Sequence, residues 1–469
     1  MKTLFKTNIL GYFLLFLSFV AFVQLPLDAQ NKATTKTQIV SLKTPDRPVG
    51  QTNVLQLRCE PIQKVRVAFI GLGMRGSEAL RRFMYLYGVE VVALCDTNKT
   101  FVKRAQKVLA ENKKKPALEF YSSTDDWKKV CELQNVDLVY NCTPWGLHTP
   151  IAVYAMEHGK HVALEVPAAT SVNECWQLVN TAEKTRKHCM MMENCCYDFF
   201  EMATLNMAQK GLLGEIVHVE GAYIHDLRFL NFETAENGGY QNMWRLKQSE
   251  KYTGNPYPTH GLGPICQVLN IHRGDKMNTL VSMSTNQFGM TMYAKEKYGE
   301  NADSAKISYD LGDMNTTLIR TQKGKTIMIQ HDVTSPRPYN RIHMLSGTKG
   351  FVQKYPIQGI ALEPKAHNFL PEKAMNELLA EYEHPIVREV GEQAKKVGGH
   401  GGMDFIMDYR LIYCLRNGLP LDQDVYDAAE WSCLTELTEI SVRNGSVPVE
   451  IPDFTRGDWN KLPGLQFAK

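Results

Sequence analysis

The sequence predicts an α/β protein: a doubly wound parallel sheet first, then an α+β domain built on a mostly antiparallel sheet. Three observations predict it. Residues 64–193 alternate short apolar runs with helical segments, the βαβ pattern of a parallel sheet. Residues 71–76, G-L-G-M-R-G, set a glycine-rich turn directly between a strand and a helix. Beyond about residue 210, strands follow one another with few helices between them.

The run V-R-V-A-F-I gives a strand over 65–70, which feeds the glycine turn and a helix over about 76–87. A strand over 90–95 ends at Asp96, and a Lys-rich helix covers about 98–112. After Phe120-Tyr121 a short helix covers 125–130, and the strand 136–141 ends at Cys142-Thr143-Pro144. A helix over about 148–158, a strand over 161–165, a helix over about 171–186 and a strand over 189–193 complete the alternation. After a helix near 199–210, strands are predicted near 216–224, 279–289, 305–311, 315–320, 325–331 and 340–346. Gln322-Lys323-Gly324 joins the fourth and fifth of these as a hairpin. A helical tail over about 402–443 follows the glycine-rich stretch 398–402, which reads equally as a ligand-approaching loop or a domain linker. The chain thus divides into a leader (1–29), a linker or extended arm (30–62), a first domain (63–196), a second domain (197–453) and a C-terminal tail (454–469).

Composition excludes several classes. A 44% hydrophobic share with 22% charged residues over 469 residues is that of a globular protein with ample core. The formal charge is +3, and loss of the leader, with two lysines and one aspartate, leaves +2. No nucleic-acid surface follows from that, and Lys113-Lys114-Lys115 reads as a solvated helix end before Pro116. Lys2 and Lys6, the apolar run from Ile9 to Val23 and Leu27-Asp28-Ala29 predict a cleaved secretory signal, hence a periplasmic or secreted protein. No later segment has about 18 continuous apolar residues, so no stable membrane insertion is expected after cleavage. Eleven cysteines without a C-x-x-C pair or zinc spacing predict small buried hydrophobes, with neither a disulfide framework nor a metal site.

The glycine turn carries the first chemistry. Gly71 permits the turn, Gly73 lets backbone approach a pyrophosphate, and Gly76 allows close helix–strand packing. Asp96 lies 20 residues beyond Gly76, where a carboxylate accepts from ribose hydroxyls and repels a 2′-phosphate, so NAD is favoured over NADP. Trp145-Gly146-Leu147-His148, Glu165-Val166 and Asn194 follow later strands and are placed at the same carboxyl edge. An exported enzyme has no obvious partner to recycle such a cofactor, so its chemistry should return the reducing equivalents within each turnover.

These residues carry a resemblance. The chain resembles the Gfo/Idh/MocA oxidoreductases and, more closely, glycoside hydrolase family 109, the NAD-dependent α-N-acetylgalactosaminidases, from about Lys64 to Asp453. Besides G-L-G-M-R-G, the matching stretches include T-P-W-G-L-H (143–148), E-V-P (165–167), M-E-N-C-C-Y (192–197), G-N-P-Y-P-T-H-G-L-G-P (254–264), R-P-Y-N-R (337–341) and G-H-G-G-M-D-F (399–405). The resemblance implies a Rossmann domain joined to an open-faced sheet, which in this superfamily often packs face to face in homo-oligomers. It implies NAD contacts from Met74, Arg75, Asp96, Trp145, Gly146, Leu147, His148, Glu165, Val166 and Asn194. It implies sugar contacts from Tyr223, Arg245, Tyr257, Pro258, Thr259, His260 and Tyr339, and a terminal α-linked N-acetylgalactosamine as substrate.

The implied reaction oxidises the sugar at C3, eliminates the aglycone across C2 and C1, adds water and reduces C3 again, so that hydrolysis occurs without net redox. His260 is the first candidate for acid/base work, because imidazole titrates nearest neutral pH. Tyr339 and Tyr257 are further candidates, as proton donors or as stacking platforms, and Arg245 is a donor fork for the N-acetyl carbonyl or an enolate. Tyr197 is a weaker candidate. An NAD-dependent sugar or cyclitol oxidoreductase is the alternative. Relatives of that kind usually carry Lys where this chain has Val166, and an Asp where it has Pro256. A catalytically dead sugar-binding protein is a third reading.

Overall fold

The computed structural model describes residues 39–469; the predicted leader (1–29) and residues 30–38 of the arm lie outside the described residues. The first sheet contains β1 (Val65–Ile70), β2 (Val89–Cys95), β3 (Leu118–Phe120), β4 (Leu138–Asn141), β5 (His161–Leu164) and β6 (Cys189–Met191). All its pairings are parallel, in the order β3-β2-β1-β4-β5-β6. That order reverses between β1 and β4 and opens a crevice at the carboxyl ends of the strands. The connecting helices are α1 (Met74–Phe83), α2 (Lys99–Glu111), α3 (Asp126–Glu132), α4 (His148–Glu157) and α5 (Val172–Thr185). They cover both faces, which is why the central strands β4 and β5 are buried throughout and mostly apolar. Under α1, the rings of Phe69, Phe83 and Tyr140 pack with centroids 5.1–5.3 Å apart.

The second half begins with α6 (Phe199–Gln209) and β7 (Ile216–Ile224), then α7 (Arg228–Phe232), α8 (Trp244–Ser249) and α9 (Thr259–Leu269). There follow β8 (Met277–Ser284), α10 (Gly289–Tyr298), α11 (Asp303–Lys306), β9 (Asn315–Thr321), β10 (Thr326–Asp332), β11 (Met344–Gly347), β12 (Gly350–Gln353) and β13 (Gly359–Leu362). The chain closes with α12 (Glu372–Glu381), α13 (Pro385–Val397), α14 (Met403–Asn417), α15 (Val425–Ser432), α16 (Leu434–Arg443) and β14 (Val449–Glu450). The eight strands run β13-β12-β11-β7-β10-β9-β8-β14, antiparallel except for the parallel β7–β10 pair. A row of inward residues, Val219, Ile327, Ile319 and Leu280, is paired across β7, β10, β9 and β8 and buried. The opposite face is open: Leu318 and its cross-strand partner Val281 are exposed, as is Met283.

Two predicted strands differ. Residues 305–311 form no ladder, although a strand is predicted there: Tyr309 and Leu311 are buried in alternation and pack with Phe232, Leu246 and Met290 in a small separate core. Period-two burial here reflects extended chain against helices, without a pairing strand. The strand predicted over 279–289 stops at Ser284, and Gly289 begins α10. The tail helices return to the first sheet, α14 against α1 and β1, and α15 against α5 and β6. Residues 39–62 are held along the body by a Val40–Val449 bridge, an Arg47–Glu183 ion pair of 3.1 Å and the Val54 N–H donated to the Tyr426 hydroxyl. No helix among the described residues is long and apolar enough to cross a membrane.

Candidate active site

At the end of β1, Gly71 turns with φ +86°, and a Cβ there would lie 2.7 Å from the Cys142 carbonyl carbon. A Cβ on Gly76 would meet the Gly71 oxygen at 1.9 Å, whereas Gly73 faces open space. No side chain caps α1. Closed glycines on either side of an open one, at an uncapped helix N-terminus, make a cradle that fits a dinucleotide pyrophosphate. Asp96 ends β2 and accepts from the Leu72 and Asn98 amides, both at 2.7 Å. Burial pushes its carboxyl up and those two bonds act against it. Asp96 therefore braces the glycine loop as well as facing the crevice, and a carboxylate has lone pairs left for ribose hydroxyls.

The later strand ends converge on the same edge. Trp145 Nε1 donates to the Val166 carbonyl at 3.1 Å. The His148 ring points inward, its two nitrogens 2.7 Å from the Pro167 and Thr143 carbonyls, so it fastens two loops together and leaves only its backbone to the crevice. Arg75 pairs with Glu165 (3.3 Å) and Asp404 (3.4 Å), and Asn194 Nδ2 donates to Asp404 at 2.5 Å. Burial opposes the Asp404 charge, but the His400 hydrogen bond and the Arg75 and Arg82 guanidiniums hold its carboxyl far below the usual carboxylate range. The glycine-rich stretch 398–402 is thus no spacer between domains. It brings His400 within 2.9 Å of Asp404 at the rim of the cofactor edge.

Tyr223, Arg245, Tyr257, His260 and Tyr339 gather beside that edge, as the resemblance implies. His260 Nδ1 lies 2.7 and 2.9 Å from the two carboxylate oxygens of Glu193, and Nε2 lies 3.4 Å from the Tyr257 hydroxyl. The Arg245 guanidinium sits 4.8 Å from the Tyr257 ring centre and 5.3 Å from that of Trp145. Tyr339 is 39% exposed and stands at the mouth, 6.4 Å ring to ring from Tyr223. Burial holds the phenols of Tyr223, Tyr257 and Tyr339 well above their ordinary value, so they serve as neutral hydrogen-bond donors. Pro258 and Thr259 are buried beneath His260, with the Thr259 side chain against Glu193, so neither side chain is open to a ligand.

Glycines set this geometry. A Cβ on Gly221 of β7 would lie 2.3 Å from the Gly261 oxygen, and one on Gly261 would lie 2.4 Å from the Ala222 nitrogen. A Cβ on Gly263 would press on Glu193 Cγ at 2.9 Å. Helix α9 therefore sinks onto the second sheet on one side and the end of β6 on the other, which puts His260 between Tyr223 and Glu193. Gly261→Ala is expected to destabilise the protein by about 1–3 kcal/mol through overpacking against rigid backbone. Thermal unfolding checks this, and an unchanged Tm would contradict the close approach.

Sequence reasoning missed Glu193, the fully buried partner of His260, although it stands beside Asn194 in a matching stretch. It also missed His225, whose Nε2 meets the Tyr223 hydroxyl at 2.8 Å, and Tyr240, whose hydroxyl accepts from Arg245 at 2.9 Å. Tyr197 is displaced from any catalytic role: it is fully buried and donates to Asp422 at 3.3 Å, itself gripped by Arg410. All eleven cysteines are free.

Comparison with known proteins bears on this geometry. Residues 65–193 match the oxidoreductase family described as an NAD-binding Rossmann fold, and residues 197–461 match the family described as glycosyl hydrolase 109, C-terminal domain. The chain is 59% identical over 420 residues to an alpha-N-acetylgalactosaminidase of Bacteroides fragilis, covering 90% of this chain and 98% of that one. It is 57% identical over 409 residues to glycosyl hydrolase family 109 protein 2 of Phocaeicola vulgatus, covering 87% and 99%. A levoglucosan dehydrogenase solved with NADH and L-sorbose shares the fold at 16% identity and a TM-score of 0.61, over 84% of this chain and all of that one.

Proposed function

Because the chain belongs to glycosyl hydrolase family 109, we propose that it is an α-N-acetylgalactosaminidase that releases terminal α-linked N-acetylgalactosamine with NAD held in its Rossmann domain. The observation that carries this reading is the buried Glu193–His260 pair opening into a tyrosine-lined pocket beside the cofactor edge. Val166, an aliphatic residue whose carbonyl is taken by Trp145, stands where sugar dehydrogenases of this fold usually place a lysine, and so can move no proton.

NAD, when bound, supplies a reversible two-electron oxidation at C3 of the sugar. The protein must handle the protons. Nδ1 of His260 is held by Glu193, so Nε2 is the atom that takes a proton from the substrate and gives one back. Loss of the C2 proton next to a C3 ketone drives the C1–oxygen bond to break, with the electron pair leaving on the aglycone oxygen. Addition of water puts hydroxyl on C1 and a proton on C2, and C3 is then restored. The neutral phenols and the Arg245 guanidinium donate toward oxygens that gain charge on the way.

Export supports a self-contained cycle, and the basic, apolar leader sequence supports export to the periplasm or the medium. The exposed Val281, Leu318 and Met283 on the open face of the second sheet support a homo-oligomer formed through that face. With p-nitrophenyl α-N-acetylgalactosaminide, nitrophenol is expected to accumulate over many turnovers while absorbance at 340 nm stays flat. Stoichiometric NADH would make the protein a net oxidoreductase instead, and silence in both channels would make it a binding protein.

A further inference from the structure

Arg245 and Trp145 also line a second pocket, whose His331 and Thr435 have been given no role above. Trp145, Pro256, Leu311 and Val333 give it apolar walls, and Arg245, His331 and Thr435 line it. Ser249, Thr170 and one Arg245 nitrogen have partners in the protein, but four of its polar atoms have none. Arg245 Nη2, both ring nitrogens of His331 and Thr435 Oγ1 are buried without a hydrogen-bond partner among the described residues. His331 is 1% exposed, and Arg245 and Thr435 are each 6% exposed. Native interiors rarely leave such groups orphaned, and four in one place mark a position where a polar ligand completes them.

His331 is fixed there by the second sheet. It lies on β10, paired in register with Tyr223 on β7, and the two rings stack with centroids 6.2 Å apart. Burial, with the nearby charges of Arg245 and His225, pushes the imidazole down to about 3. The ring is therefore neutral at working pH and offers one donor and one acceptor. Arg245 spans both places, packing on Tyr257 and Tyr223 in the sugar site while its free N–H belongs to this pocket.

We propose that this pocket receives the acetamido group on C2 of the sugar, and that His331 and Thr435, together with Arg245, set the preference for an N-acetylated sugar over one with a 2-hydroxyl. The assignment rests on the glycosidase reading above and adds residues to it. An acetamide carries one carbonyl acceptor, one N–H donor and a methyl group. Arg245 Nη2 matches the carbonyl, the neutral imidazole matches the N–H, and Leu311 and Val333 match the methyl. A 2-hydroxyl is too short to meet these groups at once and leaves the pocket's polar atoms unpaired, which is how sites built for hydrogen bonding reject a lesser analogue.

The test uses NAD-loaded protein, with His331→Leu and the near-isosteric Thr435→Val. Binding of free N-acetylgalactosamine and galactose is measured by titration calorimetry, and kcat/KM is measured on the two matching p-nitrophenyl α-glycosides. Wild type is expected to prefer the N-acetylated sugar, with the preference falling about tenfold or more in His331→Leu and several-fold in Thr435→Val. A preference unchanged in both variants, or equal wild-type affinity for both sugars, overturns the assignment. Equal losses for the two sugars do the same, since they would mark a purely structural role. A wild type that prefers N-acetylgalactosamine in binding but releases no nitrophenol sinks the glycosidase reading and leaves the pocket standing.

Discussion

His260→Ala is expected to lower kcat on p-nitrophenyl α-N-acetylgalactosaminide by about 10²–10⁴-fold, the usual worth of a positioned acid/base group, while the protein keeps its NAD. The size of the effect follows from what surrounds the ring. The phenols of Tyr223, Tyr257 and Tyr339 are held protonated by burial, and Arg245 stays charged, so none can accept a proton in its place. Retention of cofactor follows from the fold. His260 lies on α9, whereas the glycine cradle lies at the start of α1, and Asp96 rather than α9 braces that cradle. Nitrophenol release gives kcat, and the 260 nm absorbance of gel-filtered, denatured protein gives the bound nucleotide. Turnover near wild type would remove His260 from the chemistry. Loss of NAD in parallel would make it structural.

The first sheet was legible because its signals are local. Val65–Ile70 is buried at nearly every position, the glycine spacing follows it at once, and Asp96 ends the next strand, so strand, loop and ribose ligand are read within about thirty residues. The second domain was less legible because period-two burial does not say whether a strand has a partner. Tyr309 and Leu311 are buried in alternation and still belong to neither sheet. The site shows the same limit. His260 was found because a histidine in P-T-H-G stands out, but Glu193 lies 67 residues away and meets it only because Gly261 and Gly263 let α9 sink between two sheets. Nothing about Glu193 in sequence separates it from a capping carboxylate, and it does also accept from the Cys195 amide at 3.1 Å. His331 was invisible for a related reason, since an inward histidine on a strand reads as core until its neighbours prove to leave it unpaired.

Replacing Glu193 should separate charge from placement. Glu193→Leu removes the group that holds His260 Nδ1, so the ring is free to rotate or to carry its proton on the wrong nitrogen, a fault that costs about 10⁴-fold in the serine-protease triad; a loss of about 10³-fold in kcat is expected here. Glu193→Gln keeps an oxygen that can accept from Nδ1–H and should restore much of that loss, with KM within a few-fold of wild type in both variants because Glu193 is fully buried behind His260. A merely structural residue would show no such rescue, and equal kcat in the two variants would refute the positioning role. Stability gives an independent reading. Burial alone would raise the Glu193 carboxyl, but the charge and hydrogen bonds of His260 outweigh it and hold the group below its ordinary value. A carboxyl whose folded pKa is depressed contributes stability above its unfolded pKa, about 4.3 for Glu, and loses that contribution as pH falls through the folded value. The Tm gap between wild type and Glu193→Gln should therefore be full at neutral pH and close in acid below about pH 4. A gap that instead widens in acid would mean that Glu193 is protonated in the native state and that His260 has no anion behind it.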